Sequence, residues 1–267
     1  MHQFKFSIIT VVKNDQYNIE KTIKSILDQR QYSEVEYIVI DGNSSDKSLS
    51  IINRYKNEID KIISENDTGI YDAMNKGMLH TTGSIIAFCN SGDFLYPKGL
   101  FYVEKEFISK KCDFVFGTVK RNYLGSQIVK KGFNKKRIHY NFDFATAHST
   151  GFYAKKELIN FIGNYNTKFK CSSDYDFYMR MINANKFLGS STTGNKIIGE
   201  VASGGYSSTL SFFDHLLEET KIRIKNKQNI FYIALIFINA IFKNYLNKIK
   251  IIYILISLIF IFLLFFT

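Results

Sequence analysis

Four short stretches, Phe4 to Val12, Tyr37 to Asp41, Ile85 to Cys89 and the weaker Asp113 to Phe116, are apolar at nearly consecutive positions and end in polar or turn-forming residues. Runs of this kind suit strands buried on both faces, as in a parallel sheet. Between them the apolar residues change period. Ile19, Ile23, Ile26 and Leu27 fall on one face of a helix, and so do Leu49, Ile52, Tyr55 and Ile59. Strand alternating with helix predicts an α/β domain built on a mostly parallel sheet. Ligands of such sheets bind outside the carboxyl ends of the strands. Those ends carry Lys13, Asn14, Asp41 and the turn Asn90-Ser91-Gly92-Asp93.

The pattern changes towards the C-terminus. Ile230 to Phe242 is apolar with only Asn239 breaking it, and Ile251 to Phe266 is apolar except for Ser257. The second run is about 16 residues, short of the ~20 that span a bilayer unaided. Ile249 and the snorkelling side chains of Lys248 and Lys250 extend it. The expectation is a catalytic domain over 1–215, a basic interfacial segment over 216–248 and a hydrophobic membrane anchor over 249–267. The alternative for the tail is a buried dimerisation helix. The opening run Phe4 to Val12 is followed directly by Lys13 and Asn14, so it reads as a first strand and not as a leader.

Composition sharpens this in two places. The net charge is +11 over 267 residues, but the C-terminal cations Lys221, Arg223, Lys225, Lys227, Lys243, Lys248 and Lys250 flank apolar runs. That placement favours anionic lipid headgroups over nucleic acid. The three cysteines, Cys89, Cys112 and Cys171, have no metal-like spacing and suit a reducing compartment.

No glycine-rich loop with a following Lys-Ser or Lys-Thr is present, and no Gly-x-Gly-x-x-Gly follows the first strand. A P-loop is thereby excluded and a dinucleotide oxidoreductase disfavoured. Bound phosphates would then need a carboxylate-held divalent ion. Asp93, following a buried strand, suits that task, and its alternative is a helix cap near Pro97. Tyr71, Asp72 and Asn75 share a polar face where a core face is expected; a solvated helix is the plainer reading. Ser173 and Asp176 have the spacing of an N-cap with an acidic third residue. Asp174 is either a dipole-stabilising first-turn carboxylate or a general base.

Together these segments resemble family 2 glycosyltransferases, in the branch with colanic-acid-type polysaccharide transferases. The likeness is carried by Ser7 to Asn14, Ile40 to Asp46, Asp67 to Gly77, Asn90 to Asp93, Ser173 to Asp176 and Gly204-Gly205-Tyr206-Ser207. It implies a GT-A fold, a Rossmann-like α/β sandwich whose mixed sheet is flanked by helices, with a nucleotide-binding first half and an acceptor-binding second half. By resemblance, Thr10, Asn14 and Asp41 line the base and ribose pocket, with Tyr71, Asp72 and Asn75 also on the donor side. Asp93 is then the metal carboxylate, and Asp174 the base that deprotonates the acceptor. His148, Gly204 and Gly205 fall on the acceptor side. Gly92 departs from the usual aspartate before Asp93, Met74 from a frequent arginine, and Ser173 from the usual glutamate before the base.

The implied chemistry is inverting transfer of a sugar from a nucleotide-sugar donor to a glycan or lipid-linked glycan, with Mn²⁺ or Mg²⁺. The expected place is the cytoplasmic face of the cell membrane, with membrane but no nucleic acid as partner. Two other functions stay open: a nucleotidyltransferase, and a membrane-tethered binding protein with a decayed site.

Overall fold

The computed structural model describes residues 3–123, 126–130, 148–192, 195–202 and 210–246. It divides into two compact units, Met1–Ser211 and Phe212–Thr267.

In the first unit β1 (Lys5–Val12), α1 (Ile19–Leu27), β2 (Glu34–Asp41), α2 (Ser48–Arg54), β3 (Lys61–Ser64), α3 (Ile70–Leu79) and β4 (Ile85–Phe88) alternate as the hydrophobic pattern requires. There follow β5 (Phe94–Leu95), α4 (Gly99–Lys110), β6 (Phe114–Phe116), β7 (Thr118–Tyr123) and β8 (Ser126–Lys130). After these come α5 (His148–Gly151), β9 (Phe152–Lys155), α6 (Lys156–Ile162), α7 (Ser173–Asn183), β10 (Gly189–Ser191) and β11 (Ile197–Val201). Seven strands form one sheet in the order β10-β6-β9-β4-β1-β2-β3, and β5-β11-β7-β8 form a second.

In the large sheet β1 pairs in parallel with both β2 and β4, whereas β9 runs antiparallel to β4 and to β6. The four apolar runs, β1, β2, β4 and β6, therefore run parallel to one another, and β9 between β4 and β6 makes the sheet mixed, as expected of the GT-A resemblance. β6 reaches the sheet only through β9, whose direction composition does not encode. One sheet face packs Ile8, Tyr37, Val39 and Ile85 with Ile19, Ile23, Ile26 and Ile52 of α1 and α2. On the other face α3 lies so close that a Cβ on Gly77 would come within 2.5 Å of the Ile9 side chain. Glycine there lets the helix backbone approach the sheet, and fixes α3 over β1 and β2.

The second unit opens with α8 (Phe212–Lys225). After it, Lys227 takes a positive φ of 56°, which lets Gln228 N–H reach Arg223 O and Lys227 N–H reach Ile224 O, each at 3.0 Å. That is a left-handed C-terminal cap. A further helix, α9, covers 230–246. It starts where Asn229 Oδ1 accepts the Phe231 N–H at 2.9 Å, an N-cap. Phe231, Leu235, Ile238, Phe242 and Tyr245 are all exposed on it, at the four-and-three spacing of a single apolar stripe. Among the described residues no helix is long and apolar enough to cross a membrane. The expected anchor over 249–267 lies outside the described residues.

Candidate active site

The carboxyl ends of β1, β2 and β4 meet at one edge of the large sheet, and the polar residues there are tied loop to loop. Asn14 takes a positive φ of 53° and its Oδ1 accepts Ser45 N–H at 2.8 Å, while its own N–H donates to Ser44 Oγ at 2.9 Å. Asp15 N–H donates to Ser48 Oγ at 2.9 Å. Asp41 is fully buried at the end of β2. Its Oδ2 accepts from Ser44 N–H at 3.1 Å and from Ser64 Oγ at 2.6 Å, while its Oδ1 is buried without a protein partner. A buried carboxylate oxygen left open costs about 1–3 kcal/mol or more, which a donor group arriving from a ligand would recover.

Lys13, expected at this edge, is joined there by Asp67, which no sequence argument gave a role. A Cβ on Gly42 would overlap the Asp67 carboxylate. Glycine at 42 thus seats Asp67 beside Asp41, with Lys13 Nζ at 3.8 Å from Asp67 Oδ1. The signal available beforehand was the position of Asp67 in the polar run that ends at Gly77.

Thr10 does not line this edge. It is completely buried, donating from Oγ1 to Cys89 O at 2.7 Å and accepting from Tyr37 OH at 3.1 Å. With both sheet faces covered it lies under the edge as a strut, which corrects the expected pocket-lining role. Asp72 Oδ2 accepts Thr68 N–H at 3.0 Å, which lowers its pKa, and it stands 3.6 Å from Lys76 Nζ. Asn75 spends its amide on the Tyr165 backbone, donating to the carbonyl and accepting from the N–H, both at 2.9 Å. Asp72 therefore braces the start of α3, and Asn75 ties the middle of that helix to the Tyr165 segment.

Asp93 sits in the turn after β4 and is only 5% exposed. Its Oδ2 accepts from Thr150 Oγ1 of α5 and its Oδ1 from Ala202 N–H at 2.9 Å. Burial pushes its pKa up to about 6, against the lowering pull of those two hydrogen bonds and of Arg121. It does not cap α4, because β5 intervenes and Lys98 precedes that helix without a side-chain cap bond. Next to it Gly92 has a positive φ of 94°, and a Cβ there would lie 3.8 Å from Asp15 Oδ2, the oxygen that accepts from Ser91 Oγ at 2.6 Å. Asp15 is part-exposed. Ser91 thus links the turn that carries the buried Asp93 to the part-exposed Asp15 of the loop after β1. No cluster of three or more His, Cys, Asp or Glu exists among the described residues. Two hard oxygen donors suit Mg²⁺ or Mn²⁺ when substrate phosphates complete the shell.

Asp174 stands in the first turn of α7, where Oδ1 accepts Tyr175 N–H at 2.8 Å and Tyr71 OH at 3.3 Å. The helix begins one residue earlier than the capping pattern implied. Ser172 is the N-cap, without a side-chain cap bond, and Ser173 Oγ is buried without a partner. Asp176 is buried and holds Arg180 Nε at 2.9 Å, so its role is structural by ion pairing and not by capping. His148 opens α5, two residues before Thr150, and only its backbone is described. Gly204 and Gly205 lie outside the described residues.

Comparisons with known proteins bear on this arrangement. The profile of "Glycosyl transferase family 2" matches residues 7–184. A Mycobacterium bovis protein described as a PGL/p-HBAD biosynthesis glycosyltransferase is 30% identical over 182 residues, 66% of this chain and 68% of that protein. A Campylobacter jejuni GalNAc(5)-diNAcBac-PP-undecaprenol beta-1,3-glucosyltransferase is 29% identical over 165 residues, 58% of this chain and 53% of its own length. Among solved structures, Staphylococcus aureus TarS 1-349 in complex with UDP-GlcNAc superposes with a TM-score of 0.66 at 17% identity, over 82% of this chain and 66% of that one. The mannosyltransferase PcManGT from Pyrobaculum calidifontis, in complex with GDP-Man and Mn²⁺, gives 0.62 at 16% identity over 84% of this chain and 64% of its own. These two likenesses concern the fold, a mixed α/β sheet of GT-A type. With the nucleotidyltransferase and decayed-site alternatives set aside on this match, the chain belongs to glycosyl transferase family 2 and is a glycosyltransferase.

Proposed function

We propose that the enzyme transfers a sugar, with inversion, from a nucleotide-sugar donor to a glycan or lipid-linked glycan acceptor in cell-surface polysaccharide or glycolipid synthesis. The observation that carries this reading is the pairing of two carboxylates of opposite character. Asp41 offers a buried, unmatched oxygen at the nucleotide edge of the sheet. Asp174 offers a part-exposed carboxylate at a helix start in the second half of the fold. The relatives' named donors and their undecaprenol-linked acceptor are consistent with it.

In this scheme Asp41, Asn14 and the loops they tie hold the nucleoside. Lys13 adds positive charge beside them. Asp174 accepts the proton of the acceptor hydroxyl, whose oxygen bonds to the anomeric carbon as the bond to the diphosphate oxygen breaks. Nucleoside diphosphate leaves with the bonding pair. One displacement with one base inverts the anomeric centre, and general-base assistance of this kind is worth roughly 10²–10⁴ in rate. Mn²⁺ or Mg²⁺ held through Asp93 and Asp15 would neutralise charge on the leaving diphosphate. Asp93 would have to exchange its Thr150 hydrogen bond to take part.

The same reading places the enzyme at the cytoplasmic face of the cell membrane. The exposed apolar stripe of α9 and the neighbouring Lys225, Lys227 and Lys243 match an interfacial helix on an anionic leaflet. The apolar run over 249–267 supplies the anchor. Mass spectrometry of products from a panel of UDP- and GDP-sugars tests the proposal. It fails if pyrophosphate is released, or if no glycosylated product forms from any donor.

A further inference from the structure

Tyr71 is joined to Asp174 across 103 residues of chain, OH to Oδ1 at 3.3 Å. Its ring stacks on Tyr165, with centroids 5.6 Å apart at 29°. One turn further along α3, Asn75 grips the Tyr165 backbone from both sides at 2.9 Å. Positions i and i+4 of α3 thus act on one neighbouring segment, Asn75 fixing the strand of chain that leads to α7 and Tyr71 reaching the carboxylate at its start. Tyr71 is 7% exposed. Burial foremost, and then the Asp174 charge, keeps its phenol protonated well above the ordinary range. At neutral pH it is therefore a hydrogen-bond donor.

We infer that Tyr71 is a positioning residue for Asp174: its phenol holds the carboxylate in place at the start of α7 and favours its ionised form. The inference rests on Asp174 being the base. It moves Tyr71 from the nucleotide-binding role implied by resemblance to the opposite wall of the site. A donated hydrogen bond favours the charged form of a carboxylate. The Tyr175 N–H donates to the same Oδ1 at 2.8 Å. Other titratable groups around the pair are Tyr165 and Cys171, from the segment before α7, and Tyr178 of α7. Arg180, which acts on Tyr165, is itself engaged by Asp176. Tyr178 OH is buried without a hydrogen-bond partner, which makes it the natural control.

The test uses the full chain labelled with [4-¹³C]aspartate, the Asp174 resonance being assigned by its loss in Asp174→Asn. Tyr71→Phe keeps the ring and its stacking but removes the donor. It should raise the Asp174 midpoint by about one pH unit, whereas Tyr178→Phe leaves it in place. In parallel, release of nucleoside diphosphate from UDP-GlcNAc and GDP-Man should fall about tenfold for Tyr71→Phe on the acid side of the midpoint, with KM for the donor unchanged. An unmoved midpoint in Tyr71→Phe overturns the inference, and so does an equal shift in Tyr178→Phe, which would mark a packing effect of the aromatic cluster. If Asp174→Asn keeps wild-type turnover, the base assignment fails and the inference with it. If that variant is inactive while Tyr71→Phe does not move the midpoint, only the role of Tyr71 falls.

Discussion

Replacing Asp93 by Asn should stabilise the metal-free protein, and by an amount that grows with pH. The carboxyl is buried, and its pKa is raised from 3.8 to about 6 because desolvation outweighs the hydrogen bonds from Thr150 and Ala202. A raised acid pKa means that the folded state prefers the protonated form. The stability linked to that proton is complete below about pH 4 and is lost as pH rises through about 6. A gap of about two pH units corresponds to ~3 kcal/mol, reached near pH 7 and constant above it. Asparagine carries no charge to desolvate. Its Oδ1 can still accept the Ala202 N–H, and its Nδ2 can donate to Thr150 Oγ1. Urea unfolding of the full chain in mild detergent with chelator present, followed by circular dichroism from pH 4 to 8, measures the difference. Wild type and Asp93→Asn should be near parity at pH 4, and the variant ~3 kcal/mol more stable at pH 8. Added Mn²⁺ should restore the wild type alone, since a ligand of the folded state stabilises by mass action. A gap that is constant with pH, or a variant less stable at pH 8, would refute the reasoning.

Two further outcomes follow from the same geometry. Activity should require Mn²⁺ or Mg²⁺, and Asp93→Ala should lose both donor binding and turnover; full activity in excess EDTA, measured as nucleoside diphosphate release, would remove the ion from the account. Deleting residues 229–267 should leave a folded enzyme that still hydrolyses donor but works poorly on lipid-linked acceptors and no longer floats with anionic vesicles. Aggregation of the truncated chain would assign the tail to the core instead of to a membrane.

The α/β alternation was legible because strands buried on both faces and amphipathic helices leave different periods, and those periods place Asp41 and the Asn90 to Asp93 turn at strand ends. The same burial hid what distinguishes one strand residue from the next. Thr10 looks like a pocket residue in sequence, but a strand covered on both sides gives no cue to which side chains reach the edge. β9, antiparallel between β4 and β6, was missed as an element because its apolar run is only Phe152 to Ala154. Asp174 stood out because the apolar face of α7 left it no packing role. Its contact with Tyr71 did not, since a hydrogen bond across 103 residues leaves no trace in local spacing. Asp67 escaped notice for a related reason: its place is set by Gly42, on another loop.

The central claim, sugar transfer with Asp174 as the base, is tested most directly by comparing wild type with Asp174→Asn. Both are given the same nucleotide-sugar panel and lipid-linked glycan extract, with products read by mass spectrometry. Wild type should add one glycosyl unit for each nucleoside diphosphate released. Asp174→Asn should bind donor normally while turnover falls by ~10²–10⁴. Near-normal transfer by Asp174→Asn would contradict the account.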